Sequence, residues 1–416
     1  MTMRVIRTEQ VYMRGDDTLS LMCHLSKNLY NQANYILRQQ FMKKEKMAGY
    51  NGLVRLFQTP SDEEERNNYR KLPAQTAQWT IRKVTQAWNS FFRSMKEYRK
   101  HPEKFQGKPK IPGYKNRDGE FLLIFTNQQC SIENGMLKFP RMVNMEVKTR
   151  LNDVNLREVR IVPQGTGYAV EIVYEKEISD LNNGRPERIM GIDIGVRNIV
   201  TIGDCIPEKG IAVRGGVLKS INQFFNKEYA RLKSVSDRQS GNRQLTHREK
   251  KLFMKRNRKL KDVMHKLSRS IVNYAKLKSI DTIVIGHSNG WKQEADMGRK
   301  NNQNFVQIPF GMLIQQIRYK GEEAGIRVVI QEESHTSKVS FLDHESVEHH
   351  DEYKGRRIKR GTFETANGTL IHADLNAAYN IITKAIPEAF ANGIEGIGLY
   401  PRSLSIGQMI TSKGGC

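Results

Sequence analysis

The sequence predicts a mixed α/β chain in two parts: a small β-barrel carrying an inserted helical lobe, then a sheet whose strands alternate with helices. Three observations predict it. Residues 120–175 hold four short runs rich in β-branched and aromatic residues, preceded by two long segments of helical periodicity. Strand-like and helix-like runs alternate from residue 187 onward. Between them lies a polar stretch, ISDLNNGRPE (178–187), which marks the main boundary. The expected domains are 1–186, with the helical lobe at about 16–118, and 187–416, with a helical hairpin inserted at about 217–279 and a polar loop at about 338–361.

In the first part, residues 3–12 read as a strand. A helix is expected from about Thr18 to Lys46, where Leu25, Leu29, Ala33 and Ile36 recur at helical spacing. A second helical stretch, from about Ala74 to Tyr98, carries Trp79, Val84, Trp88, Phe91 and Phe92. Packing of the two helices explains these aromatics, with base stacking as the alternative. RKHPEKFQGKPKIPGYKNRDG (99–119) mixes Lys, Arg, Gly and Pro; it reads as a solvated basic loop, or as one that touches a nucleic-acid backbone. FLLIF, MLKFP, REVRIV and YAVEIVYE follow as strands, with QGTG as a hairpin turn between the last two. Together with the first strand they would close the barrel.

The second part opens with ERIMGIDIGVRNIVTIGD, two strands joined by a turn near Gly195–Asn198, and a third strand lies near Ile211–Arg214. Residues 217–278 read as a helical hairpin broken near SGNRQ; its second helix lines up Leu260, Val263, Met264, Leu267, Ile271 and Tyr274 on one stripe. SIDTIVIG is a buried strand and IPFGMLIQQIRYKGEEAGI a helix with a Gly stop. IRVVIQEES is a strand, FETANGTLIH a hairpin with an NG turn, and ADLNAAYNIITKA a helix. Three strands, helix, strand, helix, strand, helix is the RNase H-like arrangement, in which the fourth strand lies beside the first and the sheet order is 3-2-1-4-5.

Hydrophobic residues make up 38% of the chain and charged residues 27%, the balance of a soluble globular protein. No apolar run approaches the roughly 18 residues of a membrane span. The start, MTMRVIRTEQVY, lacks the features of a secretory signal. A cytoplasmic, nucleoid-associated protein with no membrane partner is expected. Lys and Arg number 68 against 44 Asp and Glu, a formal charge of +24. That excess points to a polyanionic partner, because each phosphate neutralised releases condensed counterions. Cys23, Cys130, Cys205 and Cys416 are far apart with no CxxC pair, which argues against a disulfide framework and against a cysteine zinc site.

Two carboxylates stand out. Asp193 lies in the apolar strand IMGIDIGVRN, where burying it is costly unless it is paired or binds a metal. Gly195 just beyond permits a tight turn and close approach of a phosphate. Asp374 sits at a helix start in HADLNAAYNI, where an Asp is also an ordinary N-terminal helix residue. Carboxylates that hold two divalent ions about 4 Å apart are what phosphodiester cleavage by two metals needs. Mg²⁺ suits this chemistry, since it takes oxygen ligands and keeps exchangeable waters.

GIDIGVRN, SIDTIVIG and HADLNAAYNI resemble the three RuvC motifs of TnpB proteins, transposon-encoded relatives of type V CRISPR effectors. LYNQANYILRQQF, GKPKIPGYK, NNQNFVQIPFGMLIQQI and the HTSK stretch resemble the same family, so the likeness runs over nearly the whole chain. The resemblance implies a RuvC nuclease guided by an RNA made from the transposon end and acting on double-stranded target DNA. It also implies an N-terminal barrel and helical lobe that grip the guide–target duplex and read a short flanking motif.

The sequence departs from that family at two places. The family's second catalytic residue is a Glu at the end of the fourth strand; here that position is Gly286, followed by His287, a poor Mg²⁺ ligand. The fifth strand ends in QEESHTSK, so Glu332 and Glu333 fall at the same sheet edge one strand further out, about 4.8 Å away. Successive residues alternate faces, so one of the pair should point inward, with Glu333 favoured. IGH with WKQ, and EES with TSK, resemble a variant branch of the family. Many relatives also carry CxxC pairs that form a zinc ribbon; here Ser340 and Asp343 stand where the first pair would be. His344, His349, His350 and Asp351 fit no standard zinc spacing, so no zinc is predicted and the segment reads as a polar loop whose basic end, Lys354 to Arg360, faces nucleic acid.

The expected function is therefore RNA-guided DNA endonuclease activity in an insertion-sequence transposon. Asp193, Glu333 or Glu332, and Asp374 would hold two Mg²⁺ ions, with Mn²⁺ as a substitute, and water would attack in line to leave a 5′-phosphate. Arg197 and Asn198 are placed to orient the strand, or to pack the turn. The alternatives are a nuclease-inactive RNA-guided repressor and a guide-independent transposase or resolvase-type nuclease.

Overall fold

A computed structural model describes residues 2–59, 67–179, 184–206, 208–239, 245–288, 306–391 and 393–411. The linker centre (180–183), the hairpin break (240–244), WKQ (291–293), NNQNF (301–305) and Cys416 lie outside the described residues. The chain divides into two compact units, Arg4–Glu177 and Ile178–Cys416 with Met1–Met3.

The first unit begins within β1 (Thr2–Arg14), at Arg4, and continues with α1 (Asp17–Met42). Asp16 caps α1, its carboxylate accepting from Leu19 N at 2.9 Å. The helix stops earlier than its periodicity predicts: Lys44 adopts φ 57°, and a separate helix α2 (Tyr50–Gln58) follows. α3 (Ala74–Lys100) packs on α1, and buried Trp88 donates through Nε1 to Asn34 Oδ1 at 2.9 Å. Trp79 does not join this core; it is half-buried, with the Arg82 guanidinium 4.8 Å from its ring centre. The basic loop is held along α1. Asn31 bonds the Lys115 peptide on both sides (3.0 and 2.8 Å), and Asn34 and Arg38 donate to Pro112 O (3.1 and 2.7 Å).

The strands of this unit are β2 (Leu123–Thr126), β3 (Ser131–Glu133), β4 (Met136–Lys138), β5 (Glu146–Lys148), β6 (Asn155–Gln164) and β7 (Gly167–Ser179). They do not form one closed ladder as the barrel expectation required. They divide into a four-stranded sheet, β1-β7-β6-β2, and a three-stranded one, β3-β4-β5, that share a core. Strands of three residues span only about 10 Å and cannot run the length of β6. The QGTG turn is where expected, pairing Gln164 with Gly167.

The second unit holds β8 (Ile189–Asp193), β9 (Asn198–Asp204), β10 (Ile211–Arg214), α4 (Gly216–Gln239), α5 (His247–Leu277) and β11 (Thr282–Gly286). Then come α6 (Phe310–Glu323), β12 (Arg327–Gln331), β13 (Arg356–Lys359), β14 (Thr362–Glu364), β15 (Leu370–His372), α7 (Ala373–Ala385), β16 (Arg402–Ser405) and α8 (Ile406–Thr411). The main sheet runs β12-β11-β8-β9-β10-β16, so its first five strands follow the order read from the element pattern. β11 is buried at all five positions and pairs parallel to β8 and β12, as a continuous apolar run covered on both faces should. α5 and α6 cover one face through Leu260, Met264, Leu267, Leu313 and Ile317. α7 covers the other, and it lies close because Gly191 has no side chain: a Cβ there would sit 2.3 Å from Ala378 O.

Two features were not anticipated. β16, from the C-terminal segment, adds a sixth strand parallel to β10. The polar loop contains β13, which joins β14 and β15 in a three-stranded sheet.

Candidate active site

β8 brings Asp193 to the sheet edge on the face that α7 covers, since Gly191 and Asp193 are two residues apart. The first turn of α7 carries Asp374. Burial pushes the Asp193 carboxyl well above the usual carboxylate range; Asp374 and then Glu333 push it further, and Arg357 opposes them. Asp374 is oriented from two sides. Asn198 Nδ2 donates to its Oδ2 at 2.9 Å, and Arg357 approaches its Oδ1 at 3.4 Å. Asn198 thus acts on a carboxylate; Arg197 lines the same cleft without being among the groups that shift Asp193.

The two glutamates after β12 diverge. Glu332 turns outward: its side chain is 55% exposed, accepts from Lys384 Nζ at 2.8 Å and from Ser334 N at 2.8 Å, and its carboxyl is held down at about 2 by Lys384 first and Ser334 next. Glu333 turns inward and its pKa is raised, chiefly by burial. Its position answers the vacancy at residue 286. A Cβ built on Gly286 would lie 3.2 Å from Glu333 Oε2 and 2.4 Å from Ile381 Cδ1. The carboxylate from the neighbouring strand therefore occupies the space into which a side chain at 286 would grow.

The donor set suits a hard divalent cation. Three carboxylates lie near enough that Asp374 and Glu333 both disfavour the charged form of Asp193, a repulsion that a cation would relieve. Two buried polar atoms nearby lack partners among the described residues, Thr201 Oγ1, opposite Asp193 on β9, and His372 Nδ1, two residues before Asp374. Among the described residues no group of three acidic, His or Cys side chains stands close enough together to hold a metal ion.

Sequence reasoning missed His372, and it took Arg357 only as part of the basic end Lys354 to Arg360 and not as a partner of Asp374. His372 lies two residues before Asp374 in HADL and was legible from proximity alone. Arg357 comes from a separate small sheet, and only the β13–β14–β15 pairing carries it there. In the segment matching a zinc ribbon's position, hydrogen bonds do the fastening. Ser340 Oγ donates to Asp343 Oδ2 (2.6 Å), and Glu345 accepts from Ser340 N (2.8 Å) and Lys354 N (2.9 Å). His349 faces His335 edge-on at 5.6 Å, and His350 bonds Ser346 O at 2.8 Å. Among the described residues none of the helices is long and apolar enough to cross a membrane.

Residues 170–292 match the OrfB_IS605 family, described as "Probable transposase", and residues 310–381 match the family described as "Cas12f1-like, TNB domain". The chain is 25% identical over 410 residues to the TnpB-like protein ORF457 of Acidianus two-tailed virus, covering 88% of this chain and 83% of that one. Its fold resembles the protein in a cryo-EM structure of a Cas12f1–sgRNA–target DNA complex. The TM-score is 0.51 at 14% identity, with 88% of this chain and 83% of that chain covered.

Proposed function

Because this chain belongs to the TnpB family, we propose that it is an RNA-guided DNA endonuclease whose second unit is an RNase H-like (RuvC) nuclease domain. The observation that carries the reading is the inward Glu333 carboxylate beside Gly286, electrostatically coupled to Asp193. Asp193, Glu333 and Asp374 would hold two Mg²⁺ or Mn²⁺ ions. Bound there, the ions would lower the pKa of the attacking water and neutralise the leaving oxygen.

The chain's own groups supply the rest. Asn198 fixes the Asp374 carboxylate through Oδ2. Arg357, 44% exposed and cationic, would release Asp374 to take a non-bridging oxygen of the scissile phosphate, which an Arg fork fits well. Asp193 and Glu333, raised by burial, must be deprotonated to act. In this reading the first unit holds the guide–target duplex and reads a short flanking motif, the guide comes from the transposon end, and cleavage leaves a 5′-phosphate.

The test is cleavage of guide-matched DNA with randomised flanks, beside an Asp193→Ala control, after asking whether a defined RNA co-purifies. RNA-free protein with full activity would overturn the guided reading. A second reading, a guide-directed repressor, is favoured by one observation: Gly286 stands where the TnpB resemblance places a catalytic Glu. Specific binding without cleavage in Mg²⁺ or Mn²⁺ would select it.

A further inference from the structure

Asp193 and Asp374 line one end of a larger cleft, of about 1170 Å³, whose other end the proposed chemistry leaves unused. The sheet builds its floor. Asp193 lies opposite Thr201, Thr201 opposite Ala212, and Ala212 opposite Ser403, so the four share one face in a row from β8 to β16; Asp193, Ala212 and Ser403 line the cleft, and Thr201 is buried beneath it. Beyond Asp193 every member of the row is small, which leaves a trough. It crosses three strand spacings of about 4.8 Å, roughly 14 Å in all, several times the ~3.4 Å step of a stacked strand.

Cations outnumber acids along the cleft: Arg197, Arg214, Lys219, Arg357 and Arg360 against Asp193 and Asp374. Lys219, on the first turn of α4, is half-buried, and its pKa is lowered by burial first, then by Arg360 and Arg197; none of the groups that shift it is an acid. Arg214 donates to Ser403 Oγ at 2.7 Å, which fixes its guanidinium against the C-terminal strand. Three cations crowded at a half-buried lysine repel one another until an anion lies among them. Tyr400, 51% exposed, stands at the far end just before β16.

The geometry points to a phosphate-and-base subsite for single-stranded nucleic acid, separate from the carboxylates. Lys219, Arg360 and Arg197 hold a phosphate flanking the scissile one, and the Tyr400 ring stacks under a base further along the strand. A single strand rather than a duplex is required, because only an unpaired base offers its face to an exposed aromatic ring. The C-terminal segment, through Tyr400 and Ser403, is therefore part of the substrate track. The inference rests on the nuclease reading for its function but not for its binding, and the experiment keeps the two apart.

In EDTA, the guide-loaded complex is bound to target DNA carrying 5-iododeoxyuridine at successive positions around the cut, irradiated, and mapped by peptide. The same complexes are then assayed for cleavage in Mg²⁺. A crosslink to the Tyr400 peptide at one or two adjacent positions is expected. It should be lost in Tyr400→Ala, retained in Tyr400→Phe, and weakened in Lys219→Gln/Arg360→Gln. In Mg²⁺, KM for a short single-stranded substrate should rise about tenfold in Tyr400→Ala, the scale of one stacked base, with kcat within twofold. Crosslinks that never reach Tyr400, with KM unchanged in both variants, would overturn the subsite. Absent cleavage with the Tyr400 crosslink intact would instead remove the nuclease reading and leave the subsite standing.

Discussion

Two acidic clusters in the second unit show opposite ways of burying a carboxylate. At Asp343 and Glu345 the oxygens are occupied by the chain's own donors: Ser340 Oγ, Ser340 N, Lys354 N and Ala366 N, at 2.6 to 2.9 Å. At Asp193 and Glu333 burial and neighbouring acids dominate and push both pKa values up. Satisfied carboxylates fasten a loop, as metal-bound side chains would; under-satisfied ones cost stability unless a cation arrives. Both clusters stand where the sequence departs from the TnpB-like pattern, at Gly286 and at Ser340 and Asp343. Yet one places a carboxylate beside the bare position, with Glu333 Oε2 3.2 Å from where a Cβ of residue 286 would stand, and the other is closed by hydrogen bonds.

The sharpest way to break this comparison is at the paired glutamates. Glu333→Gln should reduce cleavage by at least about 100-fold, since loss of a metal-site partner alone costs 10- to 100-fold, while leaving guide-directed binding intact. Glu332→Gln should stay within a few-fold, because that carboxylate is committed to Lys384 and Ser334. Equal loss in both would abolish the inward–outward distinction. Next in size is Glu345→Gln, which removes a 6%-exposed carboxylate from two backbone donors. We expect about 2 kcal/mol of destabilisation, the cost of unsatisfied buried groups, read as a lower Tm; chelators should not reproduce it. Smaller again, Asn198→Ala should slow cleavage about tenfold, roughly 1.4 kcal/mol of lost alignment of Asp374, with Tm and DNA affinity unchanged. An unaltered rate would show that Asp374 needs no second orienter.

The sheet was legible because its pattern is local: TIVIG and IMGID announce buried strands, and the succession of strands and helices matches the RNase H-like order. The inward choice between Glu332 and Glu333 was legible only as an alternation, since which residue faces in depends on where β12 ends relative to Ile381 and Gly286. Arg357 was illegible, because its approach to Asp374 is made by pairing across β13, β14 and β15, with a register shift between Arg357 and Lys359. β16 was hidden for a related reason: RSLS has neither the length nor the apolar run of a strand and pairs only at a sheet edge. The barrel expectation did not foresee that β3, β4 and β5 pair among themselves, apart from the four-stranded sheet.

The smallest expected effect tests the energetic half of the comparison. If Asp193 is under-satisfied, removing its charge should stabilise the metal-free protein even as it destroys cleavage. Its folded pKa lies above the ordinary carboxylate value of 3.8. Below that value the group is neutral in both folded and unfolded chains and contributes nothing. As pH rises toward the folded pKa the unfolded chain ionises first, so this term lowers stability with rising pH until both states are charged. Asp193→Asn should therefore raise Tm at pH 7.5 in EDTA by about 2–4 °C, the shift that ~1 kcal/mol gives a domain of this size. The gain should shrink below pH 4, where wild type is neutral too. Millimolar Mg²⁺ should stabilise wild type and not the variant, because a cation that binds only the folded state adds stability by mass action. The counterpart Asp343→Asn should lower Tm, since its Oδ2 already accepts from Ser340 Oγ and Ala366 N. A destabilised Asp193→Asn would mean that its carboxylate is held by bonds of the chain's own, and that the difference between a fastening acid and a waiting one does not apply to this molecule.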